Sequence, residues 1–257
     1  MGLRIAVGII LVLMVLPILV IIPLSFSSEV AFHLPPESYS FKWYQKFFAD
    51  DEWIAGLRRS VSVAIFTSIL STILGIMAAF SANRLDFPGK KLFMNLILGP
   101  MIFPVIVVGI ALYHSFSAYK LTDKVSGLVL AHTILALPFV FVTVLASLKG
   151  TDKNLELAAL SLGSTPIGAF FKITLPIMRS AITASALFAF ITSLDEAVVS
   201  IFISGARTKT LPIMMWDSMN FQVDPTIAVV STLLIAATIL IFILLPGLIP
   251  TGKDRNT

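Results

Sequence analysis

Charge is missing from most of this chain, and where it is missing decides the fold class. Residues 5–28, 60–82, 92–119, 125–148 and 225–246 contain no Asp, Glu, Lys or Arg, and a further apolar run over 180–203 is interrupted only by Asp195-Glu196. Each run exceeds the roughly 20 helical residues needed to cross a hydrocarbon core of about 30 Å. Charged residues make up 12% of the 257, about half the share usual in a soluble domain. The pattern predicts an all-α integral membrane protein with six transmembrane helices. A transmembrane β-barrel would show short alternating segments instead.

Composition removes several classes of function. There is no cysteine, hence no thiolate ligand, nucleophile or disulfide framework. The three histidines, His33, His114 and His132, are widely spaced, so no metal site is expected. The net charge of +4 reads as loop bias and not as nucleic-acid binding, because no basic cluster is dense enough. No Gly-x-x-x-x-Gly-Lys-Ser/Thr, His-Glu-x-x-His or Gly-x-Ser-x-Gly pattern occurs, so no catalytic residue and no cofactor is assigned, and the chain does not cradle ATP phosphates itself.

In chain order, the first run is too long for a signal-peptide core and reads as a retained helix, bent by Pro17 and Pro23. Residues 29–59 are a polar excursion. In it Phe41, Trp43, Tyr44, Phe47, Phe48 and Trp53 interleave with Lys42, Lys46, Asp50, Asp51 and Glu52, as in a helix lying along a membrane interface; the alternative is part of a dock for a soluble protein. The third run is broken by Gly99-Pro100, Pro104 and Gly109. Irregular backbone at membrane depth survives where it faces protein or water, so this run either lines a pathway or is an ordinary kinked helix. Six spans put both termini on one side. That side holds Arg4, Arg84, Lys90, Lys91, Lys149, Lys153, Lys172, Arg179, Lys253 and Arg255, ten of the eighteen Lys and Arg, a small excess in the cytoplasmic sense.

Between the fourth and fifth runs, residues 152–182 are built like a soluble helix-turn-helix. Asp152 or Asn154 can cap a first helix, with Glu156 in its first turn. Gly163 ends it. Ser164 or Thr165 can cap a second helix that has Pro166 in its first turn, and Leu175-Pro176 is expected to stop that helix. A capped hairpin in a membrane protein's loop is a docking feature.

This stretch resembles the signature loop of permease subunits in bacterial ABC importers, where Glu-Ala-Ala is followed after three residues by Gly and after nine more by Ile-x-Leu-Pro. Ala158-Ala159, Gly163, Ile173, Leu175 and Pro176 are in register; Leu157 stands where the family has Glu, and Glu156 comes one residue early. The resemblance implies the type I importer permease fold, with a core over 57–250, a coupling loop at about 150–177, a first helix and outer segment over 1–56 and a cytoplasmic tail at 251–257. It implies a multi-pass protein of the bacterial inner membrane. It also implies partners: a homologous second permease subunit, two cytoplasmic ATPase subunits, and a periplasmic or lipid-anchored solute-binding protein. The ATPases would dock on Glu156, Leu157, Ala158, Ala159, Gly163, Phe170, Phe171, Leu175 and Pro176. The rival reading is a stand-alone secondary transporter or channel.

Asp195 and Glu196 are the charges that carry most information about a solute. Asp195 lies 16 residues beyond Arg179, about 24 Å along a helix, well into the bilayer from the hairpin end. Acids at that depth face a cavity, a partner or a path. They are expected either to form a negative feature on the route of a cationic solute or to pair with Arg207 or Lys209. Ala181, Ser185, Ala189 and Ser193 recur every four residues beside them, a spacing that lets helices approach closely within or between subunits. The run from Ser193 to Gly205, with Thr210-Leu211-Pro212 and Val223-Asp224-Pro225, resembles the second-subunit type of polyamine importer permeases. The wider group also moves ferric ion, thiamine and aminoalkyl compounds.

Overall fold

The computed structural model describes residues 2–30, 33–221 and 225–244; the expected tail at 251–257, the Val223-Asp224 pair and Pro246 lie outside them. In order, the helices are α1 (Gly2–Ser25), α2 (Lys42–Ala49), α3 (Asp51–Arg84), α4 (Lys90–Ile102), α5 (Val105–Ala118), α6 (Val125–Lys149), α7 (Lys153–Ser161) and α8 (Pro166–Ala169). A π-helical turn (Phe170–Thr174) follows, then α9 (Leu175–Ile177), α10 (Arg179–Asp195), α11 (Val198–Ile203), α12 (Leu211–Phe221) and α13 (Thr226–Leu244). Four of these helices are long and apolar enough to cross a membrane, and two bent pairs bring the number to six if each pair is one span. That accords with the six expected runs.

Packing divides the chain into two units, one comprising the stretch up to Arg58 with Leu211–Ile243, the other Arg59–Thr210. In the first unit α1 stays helical through Pro17 and Pro23, and its side chains from Leu3 to Leu19 are exposed, as suits a hydrocarbon surrounding. The aromatic segment is two-faced. Trp43 and Phe47 of α2 and Trp53 are buried with Leu211, Val229 and Val230 of α12 and α13, whereas Phe41 and Phe48 are exposed.

Helix α3 also starts nine residues before its apolar run. The Asp50 carboxylate accepts from the backbone N–H of Glu52 (2.8 Å) and of Trp53 (3.3 Å), and Asp51 and Glu52 occupy the first turn, where the helix dipole favours acids. The resulting 34 residues span about 51 Å, longer than the bilayer's hydrocarbon core.

The second unit is built on α6, whose Val140, Phe141 and Val144 have no exposed surface. Ser71, Gly75 and Ala79 of α3 are buried at four-residue spacing. A Cβ on Gly75 would lie 2.5 Å from Val140 Cγ1, so the absent side chain is what lets α3 and α6 approach. The small-residue series on α10 does the same within the chain: Ser185, Ala189 and Ser193 are buried, and Ser68 Oγ of α3 donates to Ala186 O at 2.6 Å.

The third run is neither a straight nor a mildly kinked span. Helices α4 and α5 meet at 112°. Phe103, held extended (φ −83°, ψ 145°) by the proline that follows it, breaks the helix, and Pro104 restarts it. A groove of about 470 Å³ lies in the elbow, lined by Asn95, Gly99, Phe103, Val107 and Leu112. At 13 and 14 residues, each arm is about 20 Å long, too short to span the bilayer alone.

Candidate functional site: the hairpin and the acid pair

The hairpin forms where its local signals lie. Asp152 caps α7, its carboxylate accepting from Asn154 N–H at 2.9 Å, so of the two candidate caps the aspartate serves. Gly163 takes φ +89°, a left-handed conformation that costs a residue with a Cβ about 1–2 kcal/mol. Thr165, the serving member of the second candidate pair, accepts from Gly168 N–H at 3.0 Å.

The second helix ends one residue past Leu175-Pro176: the chain stays helical from Pro166 to Ile177 and bends by 74° at Met178, just before α10. A π turn over Phe170–Thr174 precedes the proline, and its extra residue displaces the carbonyls with which a proline ring in a regular helix collides.

The nine residues assigned to docking divide into two sets. Leu157, Ala158, Gly163, Phe171 and Pro176 are exposed, with Leu157 at 57% and Phe171 at 58%, and Leu162 and Ile167 join them. Ala159, Phe170 and Leu175 are half-buried. Glu156 turns the other way, into the chain. Its Oε2 accepts from Arg84 Nε at 3.1 Å, and its Oε1 accepts from Arg84 Nη2 at 2.7 Å and from Thr174 Oγ1 at 2.8 Å. The side chains of Arg84 and Glu156 are only 10% and 17% exposed. Burial pushes the Glu156 carboxyl up, but the Arg84 and Thr174 hydrogen bonds and the Arg84 charge outweigh it and hold the group below its ordinary value. Neither Arg84 nor Thr174 stands out in the sequence beyond Arg84's place at the foot of the second apolar run.

The acid pair terminates α10. Asp195 is exposed and makes no hydrogen bond or ion pair among the described residues. Glu196 folds forward, accepting from Val199 N–H at 2.8 Å, and so caps the short α11. The expected pairing with Arg207 does not form: Arg207 Nε donates instead to Asp123 Oδ2 at 3.3 Å.

A histidine holds both flanks of the break between α10 and α11. His132 on α6 is 2% exposed; its Nδ1 lies 2.8 Å from Ser193 Oγ and its Nε2 2.8 Å from Ser200 Oγ. The imidazole and the two hydroxyls together satisfy each other, which fixes where Asp195 is presented. Ser193 and Ser200 are seven residues apart, one face of a helix written straight through the acids; that spacing was the available sequence signal. His114, by contrast, is exposed on α5 and groups with neither acid.

A family model described as binding-protein-dependent transport system inner membrane component matches residues 71–250. The chain is 30% identical over 229 residues to the spermidine/putrescine transport system permease protein PotC of Haemophilus influenzae, covering 89% of each. It is 32% identical over 206 residues to the putrescine transport system permease protein PotI of Escherichia coli, covering 77% of this chain and 73% of that one. In three dimensions it superposes on a chain of a bacterial ABC transporter for import of the acidic polysaccharide alginate, with TM-score 0.73 and 16% identity, over 99% of this chain and 95% of that one. The reading as a stand-alone transporter or channel gives way to these matches. The chain is a multi-pass membrane protein belonging to the family of binding-protein-dependent transport system inner membrane components, with the fold of an ABC importer permease.

Proposed function

We propose that this chain is one of two permease subunits of an ATP-driven importer that carries a polyamine-like cation inward. The observation that carries the reading is the hairpin between α6 and α10, whose capped turns present Leu157, Leu162, Ile167 and Phe171 to a partner. ATPase subunits docked on that face hydrolyse ATP, and this chain does not. A solute-binding protein delivers the cation at the opposite membrane face, and the inner membrane is the site of action. ATP shifts the permease between its two openings only by favouring one of them. Asp195, exposed at the end of α10, is the group placed to meet a passing ammonium; Glu196 shapes the break that exposes it. The likeness to the spermidine/putrescine and putrescine permeases supports the choice of solute.

The test is ATP-dependent uptake of labelled spermidine into proteoliposomes holding this chain with its partner permease, ATPases and binding protein. The wild type accumulates spermidine, and Asp195→Asn lowers uptake on the order of tenfold, the scale of one lost charge-assisted contact of about 1.5 kcal/mol. Uptake that needs an ion gradient and no ATP would refute the importer. Uptake indifferent to Asp195→Asn would refute the assigned path.

A further inference from the structure

The π turn is the place where the hairpin would yield under load. Such a turn interrupts the regular i→i−4 ladder as a single bulge within a helix, and it is frequent at functional sites. Here it lies between α7 and α8, which carry Leu157 and Ile167, and α10, and it carries Phe171 itself. A push on Leu157 or Phe171 would dissipate in that turn, or at the 74° bend at Met178, unless something braces it.

Both ends of the turn are braced, the first by α3 directly and the last through Glu156 of α7. Phe170, its first residue, packs edge-on against Phe80 of α3 with ring centroids 5.1 Å apart. Thr174, its last residue, has no exposed surface and donates to Glu156 Oε1 at 2.8 Å. Glu156 in turn is gripped by the Arg84 guanidinium through two near-parallel hydrogen bonds, at 3.1 and 2.7 Å, the arrangement that fixes orientation as well as distance. Phe80 and Arg84 are one turn apart on α3, so they present one face. The clasp therefore joins the first hairpin helix, the far end of the π turn and the last turn of α3.

Resting on the importer reading, we propose that Arg84 and Glu156 are positioning residues for transport: their clasp makes the hairpin and α3 move as one body, so that work done on the docking face reaches the membrane helix. The clasp touches neither solute nor nucleotide. Its loss makes ATP turnover unproductive, because the hairpin can then tilt while α3 stays behind.

The absence of cysteine makes the motion directly readable. Cysteines replacing Met77 on α3 and Ser161 on α7, both exposed, take spin labels on the full chain in nanodiscs. A locked joint gives one narrow distance distribution; Glu156→Gln or Arg84→Gln broadens it. In the reconstituted importer the same variants raise the ATP hydrolysed per spermidine moved by about tenfold, within the usual range of coupling energies. Thr174→Val, which removes one hydroxyl at constant shape, gives a smaller rise, and the exchange Arg84→Glu with Glu156→Arg restores most of the ratio. A distance distribution indifferent to Glu156→Gln and Thr174→Val overturns the joint, as does an ATP-to-solute ratio that stays at the wild-type value in assembled complexes. A wild-type assembly that moves no spermidine with ATP refutes the importer reading instead, and the spin-label distances then still decide the joint.

Discussion

Two acids in this chain are held in the same way at opposite ends of α6, each by an arginine and a threonine. Beyond the C-terminal end, Glu156 takes Arg84 and Thr174. Before the N-terminal end, Asp123 takes Arg207 at 3.3 Å and the Thr208 hydroxyl at 2.9 Å, and its own N–H donates to Ile203 O at 2.9 Å. The chemistry is alike and the setting is not. Arg84 and Glu156 are almost wholly sheltered, whereas the Arg207 side chain is 84% exposed. A sheltered pair is costly to break because the remaining charge has no water to return to. An exposed pair exchanges one set of solvent contacts for another. The comparison teaches that shelter, more than partner identity, makes the hairpin-end node a structural joint and leaves the other node a loop fastener.

The largest effect that can break this contrast is removal of one acid. Glu156→Ala is expected to cost on the order of 3 kcal/mol, seen as an earlier thermal unfolding transition in detergent, while Asp123→Ala shifts the transition by clearly less. Equal shifts would remove shelter as the deciding factor.

Glycine changes sharpen the comparison from the backbone side. A Cβ on Gly205 would fall 2.5–2.7 Å from the Asp123 side chain, so Gly205→Ala is expected to cost about 1–3 kcal/mol by overpacking. At the hairpin, Gly163 has open space around it and φ +89°, so Gly163→Ala is expected to cost about 1–2 kcal/mol through backbone strain alone. If Asp123→Gly, which removes the clashing Cβ together with the carboxylate, relieves the Gly205→Ala penalty and leaves that of Gly163→Ala untouched in the same unfolding assay, the two causes are separated.

Acid titration gives the smallest and most specific effect. The Thr208 hydroxyl, with Arg207, holds the Asp123 carboxyl below its ordinary value; Arg84 and Thr174 do so for Glu156 against the opposing effect of burial. A depressed folded-state value means stabilisation that is full above the ordinary carboxylate range of about pH 4 and is lost as pH falls through the lowered values. Glu156→Gln should therefore flatten the acid limb of a stability-against-pH curve, and Asp123→Asn should flatten it less. Raising salt should shrink the Asp123 contribution more than the Glu156 one, because screening reaches exposed pairs first. An acid limb unchanged by Glu156→Gln would show that another group carries it.

The hairpin was readable residue by residue because its determinants are local. A cap acts within three residues and a left-handed glycine at one, so Asp152, Thr165 and Gly163 lie where the sequence puts them. Pro176 marks the helix end to within one residue, whereas the π turn before it carries no linear signal because packing at Phe170 and Thr174 decides it. The aromatic segment was legible only in part, for a related reason. Rings at that spacing suit a membrane interface and a core equally, and what buries Trp43 and Phe47 comes from α12 and α13, more than 150 residues away.

The number of apolar runs and the place of the hairpin were settled by the sequence alone, since each depends on local composition or on spacing within one turn or loop. The tertiary structure decided which charges meet. Glu156 finds Arg84 72 positions earlier in the chain, His132 spans the break beside Asp195, and Arg207 goes to Asp123 and not to the acid pair. A charge in a membrane protein takes the partner that packing brings within about 3 Å, and no linear pattern encodes that distance.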